Sequence, residues 1–196
     1  VTGLMWSQSP DTNQDGKINY QDKMTPEEAE AWVASWGLGG YSDWRIPSIR
    51  DLYTLILFSG CDVPSDAQVI DPPAPFMDTR YFSFSYGDVQ AGERIMDAQY
   101  LSSTRYVGTT MNGQATVFGV NFADGRIKGY PAEVLPGQTA AKRFYVLVVR
   151  GSNRQGTTYR DNGDGTITDA STGLMWTKAD SGFPMLWEEA LAWAEA

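Results

Sequence analysis

One five-residue string occurs twice in this chain, and no other feature constrains its fold as tightly. Thr2-Gly3-Leu4-Met5-Trp6 returns 170 residues later as Thr172-Gly173-Leu174-Met175-Trp176. A second block, Glu27-Glu28-Ala29-Glu30-Ala31-Trp32, returns as Glu188-Glu189-Ala190-Leu191-Ala192-Trp193 at an offset of 161. The order is kept, so this is an internal repeat of one structural unit. The offsets differ by nine, so the first copy carries nine extra residues between its TGLMW segment and the next block. The repeat predicts one nearly whole domain over residues 1–151, a polar linker over 152–156, and the opening segment of a second copy over 157–196. In that second copy Thr157–Arg160, Asp161-Asn162-Gly163-Asp164-Gly165 and Thr166–Asp169 read as strand, glycine turn, strand. The first TGLMW lacks such a hairpin in front of it, and opening in mid-motif predicts that the natural N-terminus lies upstream of Val1. A hydrophobic strand without a neighbour is one that proteins cover. A hairpin supplied within the chain or by a neighbouring copy, through strand exchange or self-association, is therefore expected.

The local signals of the first copy are mixed. Thr25-Pro26-Glu27-Glu28 combines a capping Thr, Pro in the first turn and Glu three residues after the cap, which predicts a helix start. Ala29, Trp32, Val33 and Trp36 follow at helical spacing, and Gly37, Gly39 and Gly40 end the run. Ser48-Ile49-Arg50-Asp51 predicts a second helix start, with Leu52, Leu55, Ile56 and Phe58 on its apolar side. Residues 59–80, rich in Pro and Asp, read as a long irregular excursion. Short strands follow around Tyr100, over Ala115–Phe122 and over Arg126–Gly129, with a turn at Asp124-Gly125. Phe144-Tyr145-Val146-Leu147-Val148-Val149 is apolar without alternation, the pattern of a central buried strand. Helices early and strands late predict an α+β domain with two helices and a mainly antiparallel sheet.

Composition excludes several chemistries. With no His, neither Ser-His-Asp nor Cys-His catalysis nor a Cys/His zinc site is available. The single Cys61, beside Asp62, has no disulfide partner in the chain. A net charge of −9 disfavours nucleic acid, and no apolar run approaches the length of a membrane span, so no membrane insertion is expected. Twenty glycines, 25 aromatic residues and few Lys suit a loop-rich, aromatic-cored extracellular module.

The strongest chemical signal lies where the nine extra residues fall. Residues 11–22, DTNQDGKINYQD, fit the twelve-residue calcium loop of an EF-hand, and more closely that of a dockerin. Asp11, Asn13 and Asp15 put oxygens at positions 1, 3 and 5, and Gly16 at position 6 permits the sharp turn. Lys17 at position 7 offers its backbone carbonyl, Asn19 at 9 can act through water, and Asp22 closes the loop at 12. Ile18 is expected to pack inward. Asp rather than Glu at position 12 departs from the usual EF-hand. Ca²⁺ suits this set because it takes six to eight oxygen ligands, and carboxylates this close repel one another without a cation. The expected role is a structural brace between the TGLMW strand and the helix near Thr25. The alternative is an Asx-rich surface turn. Asp161–Gly165 reads better as a hairpin turn than as a second such loop, since Arg160 would occupy position 1.

Several blocks together resemble a known family. They are Asp161–Trp176 with its shorter echo Thr2–Trp6, Gly40-Tyr41-Ser42-Asp43-Trp44-Arg45-Ile46-Pro47-Ser48-Ile49-Arg50-Asp51-Leu52, Tyr100-Leu101-Ser102-Ser103-Thr104, and Tyr145–Arg150. The chain is similar to the Lcl C-terminal domain family, named for a collagen-like adhesin of Legionella. The resemblance implies a C-type-lectin-like fold, related to that of formylglycine-generating enzymes, on exported bacterial proteins at the cell surface. The founding adhesin is associated with sulfated glycosaminoglycan binding. Leu101 stands where the family usually has Trp, Val33 and Val148 stand near positions where members often carry Cys, and the calcium loop is an addition. Arg45 is expected to face Asp43 or Asp51, and Ser102-Ser103-Thr104 to form a hydroxyl network rather than a nucleophile, there being no base. The leading expectation is a non-enzymatic, Ca²⁺-stabilised binding or adhesion module whose partner is a glycan or a surface protein. A structural repeat unit of a larger surface protein is the alternative. A formylglycine-generating-type enzyme is poorly supported, because that chemistry needs reactive cysteines. The charge favours a neutral glycan or protein partner over a sulfated polymer, and Lys128, Lys142, Arg143 and Arg150 are the basic residues whose placement decides this.

Overall fold

The computed structural model describes residues 3–64, 66, 74–110, 113–137, 140–151 and 158–195. The expected linker, residues 152–156, lies outside them. The chain divides into two compact units, Val1–Ser152 and Asn153–Ala196.

In the first unit a short strand β1 (Met5–Trp6) precedes the loop 11–22, which ends in a single 3₁₀ turn (Tyr20–Asp22). Helix α1 (Pro26–Ser35) starts at the expected box: the Thr25 hydroxyl accepts from the Glu28 amide and the Glu28 carboxylate accepts from the Thr25 amide. Helix α2 (Ile49–Tyr53) repeats the device with Ser48 and Asp51. Strands β2 (Gln99–Arg105), β3 (Thr116–Asn121) and β4 (Arg126–Pro131) form an antiparallel meander. Strand β5 (Val149–Arg150) pairs antiparallel with β1, Met5 opposite Arg150 and Trp6 opposite Val149. Helices with small antiparallel sheets make the unit α+β. The described residues between 59 and 80 carry neither helix nor strand, as expected of an irregular excursion.

Residues 144–149 are all buried, yet they do not form one long strand. They pair piecewise with four different segments. Phe144 exchanges backbone hydrogen bonds with Met24 at 2.8 and 2.9 Å. The Tyr145 amide donates to the Gln99 carbonyl and the Leu101 amide to the Tyr145 carbonyl. The Ser7 amide donates to the Val148 carbonyl, and Val149 is bonded to Arg45 in both directions. Side chains alternate between two cores, as a two-residue period requires. Tyr145 and Leu147 enter one cluster with Leu52, Tyr100, Val120 and Phe122. Phe144, Val146 and Val148 enter the other with Ala29, Trp44, Leu101 and Val117, and Trp32, Val33 and Trp36 pack on it. Both faces are covered, which is why the sequence there is apolar without alternation. Val33 and Val148 belong to this same cluster.

The WRIP block packs into the second of these cores through Trp44 and Ile46. Arg45 pairs with Asp51 at 2.8 Å, while Asp43 pairs instead with Arg150 at 2.7 Å. Ser102 donates to the Phe118 carbonyl and Ser103 to the Pro47 carbonyl, and the Thr104 hydroxyl accepts from the Ile49 amide. These hydroxyls form the structural network that was expected of them.

The second unit forms a three-stranded antiparallel sheet, β6 (Tyr159–Asp161), β7 (Thr166–Asp169) and β8 (Leu174–Thr177), followed by helix α3 (Trp187–Glu195). Residues 161–165 make the hairpin turn, with the Asn162 amide donating to the Thr166 carbonyl. The two TGLMW strands are bonded through opposite edges. In the first unit the Ser7 amide faces β5; in the second, the Lys178 amide, which corresponds to Gln8, donates to the Gly165 carbonyl. Successive amides of a strand point to opposite sides, so these bonds lie on different edges of the same repeated element.

Burial by itself pushes the Asp51 carboxyl up, but the Arg45 guanidinium and the Ser48 amide and hydroxyl outweigh it and hold the group below its ordinary range. Its folded value therefore lies under its unfolded one, so the stability it contributes is present above about pH 4 and is lost as pH falls through the folded value. Asp51→Asn should lower stability at pH 7 and flatten the acid limb of a pH series of thermal melts between about pH 2 and 4. A limb as steep as that of the parent would contradict the assignment.

Candidate functional site

The loop is built from short-range oxygen-to-amide bonds that its residue types dictate. The Asn13 side-chain carbonyl accepts from the Asp15 amide at 2.9 Å, and Asp15 Oδ1 accepts from the Lys17 amide at 2.8 Å. Asp11 Oδ2 accepts from the Gly16 amide at 2.9 Å, closing the turn across positions 1 and 6. Gly16 adopts φ +81°, a left-handed conformation that glycine takes without strain. The other oxygen of Asp11, Oδ1, is buried and has no hydrogen-bond partner. Ile18 turns inward onto the core that holds Tyr145 and Leu147.

Asp22 behaves differently from the others. It is fully buried. Its Oδ1 accepts from the Thr12 amide at 3.0 Å and, more weakly, from the Asn13 amide at 3.5 Å, and its Oδ2 accepts from the Asn19 amide at 2.9 Å. Its backbone carbonyl accepts from the Thr12 hydroxyl. Asp22 thus clamps the two ends of the loop together as well as occupying position 12. Asn19 caps the 3₁₀ turn through the Gln21 amide. Among the described residues no three acidic side chains converge in a group able to hold a metal ion. Asp11, Asn13, Asp15, Lys17 and Asn19 are strung along the loop, and any binding there draws on amide and backbone carbonyl oxygens as well as carboxylates.

Both ends of the loop are anchored on the 144–149 run, through Ser7 on Val148 and Met24 on Phe144. Between Asp22 and Met24 sits Lys23, a fully buried residue the sequence did not flag. Its ammonium meets Glu93 at 2.5 Å and the Asp97 carbonyl at 2.6 Å, and lies 4.4 Å from the centre of the Tyr145 ring. Burial pulls its pKa below the ordinary lysine value despite Glu93.

Two concavities flank Tyr20, at loop position 10. One, of about 420 Å³, is lined by Asp15, Lys17, Asn19 and residues of the 88–91 segment. The other, of about 450 Å³, is lined by Glu93, Arg94, Gln99, Tyr130 and Lys142 among others. Arg94 grips Asp97 through two nitrogens, and the Gln99 amide nitrogen donates to Asp97 Oδ1 at 3.1 Å. The basic residues in question do not form a free patch: Lys128 meets Asp124, Lys142 meets Asp97 at 3.9 Å, Arg143 meets Glu28 and Arg150 meets Asp43. Cys61 is exposed and unpaired by disulfide, and the Asp62 beside it pairs with Arg126.

A small α+β domain with a buried two-faced spine and an acidic loop tethered to it is the class this geometry defines. The profile of the Lcl C-terminal domain matches residues 1–150, and the chain belongs to that family. The family is one of surface-associated domains and is not known for enzymes. No curated protein and no solved structure matches the chain. No helix among the described residues is long and apolar enough to cross a membrane.

Asp22→Ala removes the acceptor of three loop amides, and orphaned donors of this kind are destabilising. The variant should unfold with about 2 kcal/mol less stability than the parent in urea titrations run in EDTA, where no metal contributes. An unchanged midpoint would mean that the clamp does not hold the loop.

Proposed function

We propose that this chain is a non-enzymatic recognition domain of a bacterial cell surface, with a C-type-lectin-like fold, whose loop 11–22 takes Ca²⁺ as a structural brace. The observation that carries the calcium reading is Asp11: one oxygen fixes the Gly16 turn while the other is buried without a partner. An unpartnered buried carboxylate oxygen is unfavourable, and a hard cation would satisfy it. Asp11, Asn13 and Asp15 would supply side-chain oxygens, Lys17 its carbonyl, Asn19 a water-mediated contact and Asp22 the closing carboxylate. The bound ion would neutralise the acidic loop and hold Ser7 and Met24 at their places on the buried run. Recognition of a glycan or a surface protein is supported by family membership and by irregular, loop-borne surface. The pairing of every basic residue in question with an acid supports a partner that is not a polyanion.

Isothermal titration of the chelator-treated protein with Ca²⁺ should give one site per chain. Saturation should raise the melting temperature in proportion to RT ln(1 + [Ca²⁺]/Kd). Asp11→Asn and Asp15→Asn should each weaken binding at least tenfold, and Asp161→Asn, in the hairpin turn, should not. No heat and no thermal shift would remove the calcium reading. A glycan array with and without EDTA tests recognition separately. Silence there, together with failure to bind any surface protein, would leave the structural repeat unit as the function.

A further inference from the structure

The sheet of the second unit ends on an edge that is built to pair. Strand β8 follows β7 in unbroken antiparallel register, from Thr177 opposite Thr166 to Leu174 opposite Asp169. No strand among the described residues lies on its other side. The Lys178 amide points to β7, so the amides of Met175 and Thr177 point away from it. In the first unit this edge is in use. Thr177 corresponds to Ser7, whose amide donates to the Val148 carbonyl, and Met175 corresponds to Met5, which stands opposite Arg150. The same string therefore already pairs antiparallel through this edge once in the molecule.

The side chains agree with the backbone. Tyr159, Ile167, Leu174 and Trp176 share one face of the sheet by its register and two-residue period. Tyr159, Leu174 and Trp176 are each more than half exposed, as is Met175 on the opposite face. Tyr159, Ile167 and Trp176 line a concavity of about 370 Å³. Trp6, the counterpart of Trp176, packs instead on the core that holds Tyr145 and Leu147, edge-on to Phe82 at 6.5 Å. Proteins blunt an edge strand that must stay open with charge, proline or a bulge. The far edge of this sheet is treated in that way, since β6 carries Arg160 and Asp161, the latter paired with Lys178. Leu174-Met175-Trp176-Thr177 has no charge and no proline, and its register has no bulge.

We propose that β8 pairs antiparallel with β8 of a second copy of this chain about a two-fold axis, joining two three-stranded sheets into one of six strands. The direction is the one the same string takes in the first unit, and two-fold symmetry makes the contact self-complementary. The outward amides decide which residues can exchange hydrogen bonds. With the axis at Met175, that residue faces its own copy, and Leu174 of each chain stands opposite Trp176 of the other. This register gives two apolar cross-strand pairs and no facing charges. With the axis at Trp176, Leu174 would instead stand opposite Lys178 of the other copy, so the Met175 register is favoured. The strand is only four residues long, and a reversible monomer–dimer equilibrium follows. The pairing involves neither the loop ion nor a recognised ligand, and it is independent of both.

The test is sedimentation velocity of the full chain in EDTA over a dilution series up to millimolar protein. The parent should show a monomer–dimer equilibrium. Met175→Pro deletes an outward amide and no bond to β7. It should weaken dimerisation tenfold or more while the amide NMR spectrum of residues 159–169 stays that of the folded hairpin. Arg160→Ala, on the far edge, should leave dimerisation unchanged. The register is read by crosslinking in a Cys61→Ser background. Met175→Cys should form an intermolecular disulfide on oxidation, because residues opposed in a hydrogen-bonded antiparallel pair lie about 5.5 Å apart at Cα, within disulfide reach. Thr177→Cys, roughly 14 Å from its own copy in this register, should not. Should the proline disturb the sheet, the cysteine pair decides alone. A parent that stays monomeric throughout, a dimer that a folded Met175→Pro leaves intact, or crosslinking at Thr177→Cys equal to that at Met175→Cys would overturn the proposal.

Discussion

The fold depends on a six-residue apolar run, 144–149, that no single sheet contains. Each of its residues is at most 1% exposed, and its backbone is divided among Met24, Gln99 and Leu101, Arg45, and Ser7. A run in that position must satisfy its amides with whatever passes by, because buried backbone polar groups left unpaired are costly. Segments far apart in sequence therefore become neighbours. The TGLMW strand, the loop exit, the WRIP block and the meander are each held by one or two residues of it. A polar substitution at Tyr145 or Leu147 would disturb one core, and at Val146 or Val148 the other, with both cores sharing a single backbone.

This arrangement explains which parts of the sequence spoke clearly. Helix starts were legible because a capping box is a local transaction: Thr25 with Glu28, and Ser48 with Asp51, each satisfies itself within four residues. The meander was legible because Asp124-Gly125 marks its turn, and the buried run because both its faces are apolar. What the sequence could not reveal is long-range. Piecewise pairing of 144–149 depends on four segments converging. Asp43 finding Arg150 and Asp51 finding Arg45 is likewise a result of packing, as Asp43 and Asp51 both stood within reach of Arg45 in the sequence.

The candidate site divides in the same way. Asp11, Asn13, Asp15, Lys17, Asn19 and Asp22 stand out in sequence because a twelve-residue loop writes its chemistry at fixed spacing. The structure adds that Asp22 is a clamp with its oxygens already engaged by amides, a role that spacing alone does not distinguish from metal ligation. Lys23 gave no signal because nothing near it in sequence says that Glu93 and the Asp97 carbonyl will close over it.

The anchoring of the loop has a consequence for engineering. Ser7 and Met24 are fixed on Val148 and Phe144, and the second copy joins its strand to its helix with nine fewer residues. An insert exchanged between these anchors would leave the frame in place only if it kept the packed Ile18 and the buried Asp22 and Lys23. A tighter lanthanide-binding hairpin seated there would give the domain a luminescent or paramagnetic reporter at a known point, rigidly referenced to its spine.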